Sequence, residues 1–323
     1  MKALVTGGTS LLGGAVAQLL RDRGDEVTVF QRRPSSLGVP EVLGDITDTD
    51  SVSRAVEGAD AVIHLAARVG VVGSWADFEA TNIAGTAAVL SAARTAGVSR
   101  LVYVSSPSVA HGGDSLVGAG ADPADPENAS GHYSRSKAIA EQLALGETDD
   151  GLSVVAIRPH LVWGPGDTQL IGRIVDRARS GRLALVGSGA ALIDTTYIDN
   201  AADALMAALD RADSLSGRAF VVSNGEPRPI GELVARIVSA AGLDEPRVRV
   251  PVAVARFGGR LAERVWESSG RQDDPPMTEF LAEQLSTAHW FDQRETREAL
   301  DWQPAVSLDE GFARLRAWFA EQG

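Results

Sequence analysis

Three residues could carry chemistry together: Ser106, Tyr133 and Lys137. A tyrosine phenol is a poor base at neutral pH, because its ordinary pKa is ~10. A lysine ammonium held beside it favours the phenolate. Tyr133 and Lys137 stand four apart in residues 133–145 (YSRSKAIAEQLAL), a stretch of helical composition, so both side chains leave the same helix face. Such a pair could take a proton from an alcohol as hydride leaves its carbon, or return one to a carbonyl in reverse. Ser106 could hydrogen-bond the reacting oxygen and orient it. A solvated helix surface would show the same Tyr–Lys spacing, so the pair needs a hydride carrier and a scaffold.

The first fourteen residues, MKALVTGGTSLLGG, point to the carrier. Residues 2–6 read as a short apolar strand and Gly7-Gly8 as a tight turn. From Leu11, through Ala15, Val16, Leu19 and Leu20, the apolar spacing is that of a helix packed on a sheet. Strand, glycine turn and helix N-terminus form the unit that seats a dinucleotide's pyrophosphate. Gly7, Ser10, Leu11, Leu12 and Gly13 are the candidate contacts there. Ser10 stands where a third glycine would complete G-x-x-G-x-x-G; its Cβ narrows the approach, while its hydroxyl could donate to a phosphate. A second strand, 26–30, runs into Gln31-Arg32-Arg33. A carboxylate at this point would hold a ribose 2′-hydroxyl. None is available in that run, and Arg32 and Arg33 can fork onto a 2′-phosphate. The expected cofactor is NADP(H); NAD(H) held by Gln31 is the alternative.

The remaining elements alternate. Strands are expected at 41–45, 61–66 and 100–104, with helices at 48–57 and 75–96. Repeated βαβ order implies a parallel sheet with right-handed crossovers and ligands beyond the strands' carboxyl ends. Gly7, Asp45, Ala66 and Ser106 fall at those ends. Residues 110–131, rich in Gly, Ala, Asp and Pro, read as a loop over the site. After a strand at 153–157 and a long turn at 158–167, the pattern changes. Helices are expected at 170–180, 230–241, 252–268 and 309–322, a helix beginning at Ala201, and strands near 183–187 and 219–223. The fold class is α/β: a Rossmann-type doubly wound parallel sheet with a smaller mixed α/β C-terminal lobe. The expected division is 1–165 for the dinucleotide and 166–323 mainly for substrate, with 194–223 returning to the first part.

Net charge is 30 − 43 = −13, which argues against a nucleic-acid or anionic-membrane surface. Without cysteine there is no disulfide or thiolate nucleophile, and the five histidines show no H-x-x-x-H pair, so no metal is expected. No apolar run approaches the ~18 residues of a membrane span, and the N-terminus lacks a secretory pattern. A cytoplasmic protein is expected.

The stretches TGGTSLLGG, GDITD, HLAA, NIAGT, VSSPSV, YSRSK, RPHLVWGPG and TYIDN run nearly end to end. Jointly they resemble an extended short-chain dehydrogenase/reductase of the NAD(P)-dependent epimerase/dehydratase type. The resemblance implies that Ser106, Tyr133 and Lys137 are catalytic with Asn82 in support, and that Asn82, Tyr133 and Lys137 also touch cofactor. It implies Asp45 and Ile46 beside the adenine, Leu65, Ala66 and Ala67 along the ribose–phosphate path, and Pro159, His160 and Val162 at the nicotinamide. Within that family SSPSV, GHYSRSKAIAEQ and the run from Pro275 to Pro304 look most like 3β-hydroxysteroid dehydrogenases and bacterial β-keto-acid reductases. Ile193, where sugar-nucleotide enzymes usually carry Arg before the Asp194 position, and Pro107-Ser108, where dehydratases carry an Asp-Glu pair, depart from the nucleotide-sugar pattern. The expected substrate is a small, largely apolar hydroxy or keto compound. Val69, Val71, Val72, Trp75, Trp163, Phe257, Trp266 and Met277 are available to line its pocket. A nucleotide-sugar epimerase retaining NAD and a non-catalytic dinucleotide sensor remain as alternatives. The resemblance also implies a homodimer through the Tyr133 helix and its neighbour.

Overall fold

The computed structural model describes residues 1–70, 72–149, 151–269 and 277–322. Val71 and the Pro275-Pro276 pair lie outside these. The apolar runs near the N-terminus become β1 (Lys2–Thr6), β2 (Glu26–Gln31), β3 (Glu41–Leu43), β4 (Ala61–His64) and β5 (Arg100–Val104). β6 (Leu116–Ala119) leaves this series, and β7 (Ser153–Pro159) rejoins it. With the Ala219–Val222 strand at one edge, the main sheet has seven strands in the order Ala219–Val222, β7, β5, β4, β1, β2, β3. Every pairing in it is parallel. Strand order reverses between β1 and β4, which opens the crevice where such sheets bind ligands.

Alternation along the strands splits the core into two layers. Val5, Val29 and Ile63 face α1 (Leu11–Arg23) and the Ile198–Asp210 helix, through Val16, Leu20, Leu205 and Leu209. Leu4, Val62 and Leu101 face the other side, packing with Val52 of α2 (Thr49–Val56), Val89 and Leu90 of α4 (Gly85–Ala96) and Ala140 of α5 (Gly131–Gly146). The single helix expected at 75–96 is three pieces in continuity. α3 (Trp75–Phe78) opens on a Ser74/Asp77 capping box, a π-helical segment follows at Glu79–Ala84, and α4 completes it. A π-segment inserts a residue into the helical ladder and often marks a functional site; hydrophobic spacing does not reveal it.

A third core joins the second half to the first. Trp163 stacks on Phe312 at 4.6 Å and meets Tyr197 edge-on at 5.4 Å, with Leu11 and Leu12 of α1 packed against the cluster. Asn200 and Asn224 both donate to the Val306 carbonyl, at 2.7 and 2.9 Å. The segment expected to be only a loop, 110–131, holds β6. It belongs to a four-stranded sheet ordered Arg228–Pro229, Leu192–Ile193, His289–Phe291, β6. Its partner lies over 170 residues away, at His289 opposite Leu116, so no local pattern predicts the pairing. The C-terminal run also forms helices Glu279–Gln284 and Arg294–Leu300.

Candidate active site

The turn after β1 is built by leaving atoms out. Gly7 has φ +79°, and a Cβ there would stand 3.0 Å from the Ala66 amide nitrogen; one on Gly13 would stand 2.3 Å from the Gly7 carbonyl oxygen. Ser10 caps α1: its hydroxyl donates to the Gly7 carbonyl at 2.8 Å and accepts from the Gly13 N–H at 3.0 Å. Its proton is therefore committed inside the turn, and the replaced glycine is tolerated because the new side chain stitches that turn together. This side-chain-free cradle at a helix N-terminus fits a pyrophosphate.

At the adenosine end two expectations change. Gln31 is buried, with its amide donating to the Glu41 carboxylate at 3.1 Å and its carbonyl oxygen beneath Gly8. A carboxylate does stand near the end of β2: Glu41 reaches there from β3, and accepts from the Ser35 N–H at 2.9 Å and the Ser35 hydroxyl as well. Glu41 belongs to the neighbouring strand, so the run after β2 does not reveal it. Arg32 and Arg33 are exposed. Asp45 accepts from Thr47 N–H and hydroxyl at 3.0 and 2.8 Å. That backbone bond chiefly, with Arg32 nearby, holds its carboxyl below the usual range. Ile46 is buried under Gly85, and Leu65, Ala66 and Ala67 are partly buried at the end of β4.

The catalytic candidates converge from three elements. Ser106, after β5, caps the short 3₁₀ turn Pro107–Ala110; its Oγ lies 2.9 Å from Ser108 Oγ and accepts the Ser108 N–H at 3.3 Å. Tyr133 and Lys137 project from α5. Burial raises the Tyr133 phenol above its usual pKa, and the Ser106 hydroxyl draws it back down. Lys137 is buried, donates to the Val104 carbonyl at 2.6 Å and lies 4.1 Å over the Tyr103 ring. Desolvation pushes its pKa down to about 7, against the pull of the Glu141 carboxylate. Asn82 lies in the π-segment. It brackets the Arg68 backbone, accepting its N–H at 2.7 Å and donating to its carbonyl at 3.1 Å, and donates to Ser136 Oγ at 2.9 Å. The Asn82 amide is thus committed to the Arg68 backbone and Ser136.

Sequence reasoning missed one charged pair. Glu141 and Arg158 are each 1% exposed and form a two-pronged bond of 2.9 and 2.5 Å. Arg158 also donates to the Asp122 carbonyl at 2.7 Å, tying the segment over the site to α5. The available signals were Glu141 four residues after Lys137, and a lone arginine ending the apolar run of β7. Beyond it, His160 turns inward: Nδ1 donates to the Asp194 carbonyl and the ring meets Phe291 at 4.9 Å. Only its backbone can face the crevice. Leu161 has φ +43°, which is uncommon for a residue with a side chain, and Val162 pairs with Thr196. Of the apolar pocket candidates, Trp163 is committed to the third core, Val69 and Phe257 are exposed, and Val72, Trp75, Trp266 and Met277 are partly buried. Among the described residues no group of three His, Asp or Glu is placed to hold a metal, and no helix is long and apolar enough to cross a membrane.

A parallel sheet whose strand order reverses and a glycine turn opening onto a helix N-terminus are the features of a dinucleotide-binding fold. Residues 3–223 match the NAD dependent epimerase/dehydratase family, and the chain belongs to it. A 2-alkyl-3-oxoalkanoate reductase from Stenotrophomonas maltophilia is 43% identical over 326 residues, covering 98% of this chain and 99% of its own. A 3 beta-hydroxysteroid dehydrogenase/Delta 5→4-isomerase from Mycobacterium tuberculosis is 30% identical over 335 residues, covering 98% and 90%. Among solved structures, MoeE5 in complex with UDP-glucose and NAD has a TM-score of 0.77 at 25% identity, covering 100% of this chain and 99% of that one. The chain is an NAD(P)-dependent oxidoreductase.

Proposed function

We propose that the protein transfers hydride between NADP(H), in preference to NAD(H), and the 3-oxygen-bearing carbon of a 2-alkyl-3-oxo or 2-alkyl-3-hydroxy acid. The observation that carries this is that the Ser106 hydroxyl bears on the Tyr133 phenol while Lys137, one helical turn on, is held by the Val104 carbonyl; the glycine turn after β1 supports a dinucleotide, and the 43% identical reductase supports the substrate class. When bound, the dinucleotide supplies or accepts the hydride. In reduction, Tyr133 gives its phenolic proton to the carbonyl oxygen as that oxygen gains charge, and Ser106 donates a hydrogen bond to the same atom. Lys137, favoured in its charged form by Glu141, stabilises the resulting phenolate and holds ribose hydroxyls. Gly7, Ser10, Leu11, Leu12 and Gly13 border the pyrophosphate. Asp45 and Ile46 flank the adenine, Leu65 to Ala67 line the path between, and Pro159, the His160 backbone and Val162 border the nicotinamide. Exposed Arg32 and Arg33 support the phosphorylated cofactor. A nucleotide-sugar substrate is disfavoured because Ile193 is buried beside Asp194 and offers no charge to a diphosphate. Residues 166–323 would mainly bind substrate. A cytoplasmic homodimer, paired through α4 and α5, completes the reading.

The test is cofactor oxidation with a 2-alkyl-3-oxo acid, and the reverse reaction with a 3β-hydroxysteroid, alongside calorimetry with NADPH and NADH. Tyr133→Phe is expected to lose at least ~100-fold in kcat with dinucleotide Kd within about threefold, about 0.7 kcal/mol. Unchanged turnover in that variant, or no turnover of either substrate class by the parent protein, would overturn the reading.

A further inference from the structure

Beneath the crevice runs a line of buried polar side chains with a definite direction. The N–H groups of Leu65 and Ala66 donate to Thr6 Oγ1 at 3.1 and 3.0 Å. An oxygen receiving two donors still has its own hydrogen to give, and His64 Nδ1 lies 2.7 Å away. Nδ1 therefore accepts, which leaves the His64 proton on Nε2. That nitrogen lies 3.1 Å from Thr86 Oγ1, whose hydrogen goes to the Asn82 carbonyl at 2.6 Å. The Asn82 amide then reaches Ser136, the residue before Lys137 on α5. Thr6, His64, Thr86, Asn82 and Ser136 are all buried. The line starts at the strand leading into the glycine turn and ends on the helix that carries Tyr133 and Lys137. His64 also packs 5.8 Å from Tyr103, the ring on which Lys137 rests.

We infer that His64, fixed in its Nε2–H form between Thr6 and Thr86, is a positioning residue that sets Asn82, and through it the Tyr133–Lys137 helix, relative to the dinucleotide turn. This rests on the function proposed above. An imidazole suits the task because it accepts on one side and donates on the other, so the chain cannot run backwards without breaking a link. Burial keeps the ring neutral, with Lys137 nearby acting in the same direction. His160 makes an instructive contrast: it gives Nδ1–H to the Asp194 carbonyl, which is the opposite tautomer.

The test uses Thr86→Val, which keeps the shape and removes the hydroxyl, with Thr86→Ser as the conservative control. Long-range ¹H–¹⁵N spectra of the ligand-free full chain should show His64 as the Nε2–H tautomer, not titrating between about pH 8 and 5. Thr86→Val should move the His64 Nε2 signal and the amides of Ser136 and Lys137, leaving His160 and the α1 amides in place. It should lower kcat about ten- to hundredfold with dinucleotide Kd changed less than about threefold, and Thr86→Ser should restore both signals and rate. An Nδ1–H or charged His64, unmoved α5 amides, or equal losses in Kd and kcat that serine does not rescue would each overturn the inference. A parent protein that turns over no keto substrate would instead remove the proposed function, and the tautomer and α5 signals would still decide the role of His64.

Discussion

The glycine turn after β1 and the helix α5 are made in opposite ways. At the turn the protein withholds atoms: Gly7 and Gly13 have no room for a Cβ, and one serine hydroxyl completes the hydrogen bonding. On α5 it crowds polar atoms together: Ser136, Lys137 and Glu141 are all buried, each satisfied by a partner on another element or on the helix itself. The turn should fail by collision. The helix should fail by leaving a charge or a donor without its partner. The two kinds of failure have different sizes and different readouts, so the contrast can be broken experimentally.

The largest effect is expected on the helix. Glu141→Gln leaves the Arg158 guanidinium buried without its counter-charge. Removing one member of a buried pair costs about 3–5 kcal/mol, which for a chain of this size lowers Tm by roughly 4–8 °C. Replacing both members with Met should recover much of that loss, because two apolar side chains need no partners. A single variant that melts with the parent would show that the pair is not what holds the segment at Asp122 to α5.

The turn comes next. Gly13→Ala drives a methyl group toward the Gly7 carbonyl, a backbone atom that cannot swing aside. Overpacking of this kind costs about 1–3 kcal/mol, so dinucleotide Kd should rise about 5- to 150-fold by calorimetry. The tautomer of His64 should not change, because it is set by Thr6 on β1 and Thr86 on α4, neither of which is among the atoms nearest a methyl group on Gly13. Affinity within about twofold of the parent, about 0.4 kcal/mol, would mean the turn yields after all, and the contrast with α5 would lose its first half.

The same contrast explains what could be read from the chain. Missing side chains leave a mark in sequence, because glycines at set intervals after an apolar strand have few other uses. Tyr133 and Lys137 were legible for a similar reason, being one helical turn apart. Partnership leaves no such mark. Arg158 needs Glu141 from an element seventeen residues earlier, Gln31 needs Glu41 across a strand pair, and β6 needs His289–Phe291. Nothing local distinguishes these residues from solvated charges or a loop. The π-segment that aims Asn82 is equally silent, since its residues keep helical spacing on either side.

The smallest expected effect sharpens the comparison most, because it asks whether crowding polar atoms on α5 has a standing stability cost. Burial strips the Lys137 ammonium of its water and pushes its pKa down from an ordinary 10.5 to about 7. The unfolded chain therefore holds this proton more tightly between about pH 7 and 10, and there stability should rise with pH. Below pH 7 both states are charged, and the fold carries the full cost of burying the ammonium. Lys137→Met removes that cost along with activity. It also loses the bond to the Val104 carbonyl and the contact with Tyr103, which offset part of the gain. The net expectation is a variant about 1 kcal/mol more stable than the parent at pH 6, or roughly 1–2 °C in Tm, with the gap closing near about pH 8 and reversed by about pH 9. Thermal melts of both proteins at the two pH values decide it. A variant less stable at pH 6, or a gap that does not change with pH, would mean that the lysine is fully compensated by its partners and that the catalytic helix is no more strained than the glycine turn.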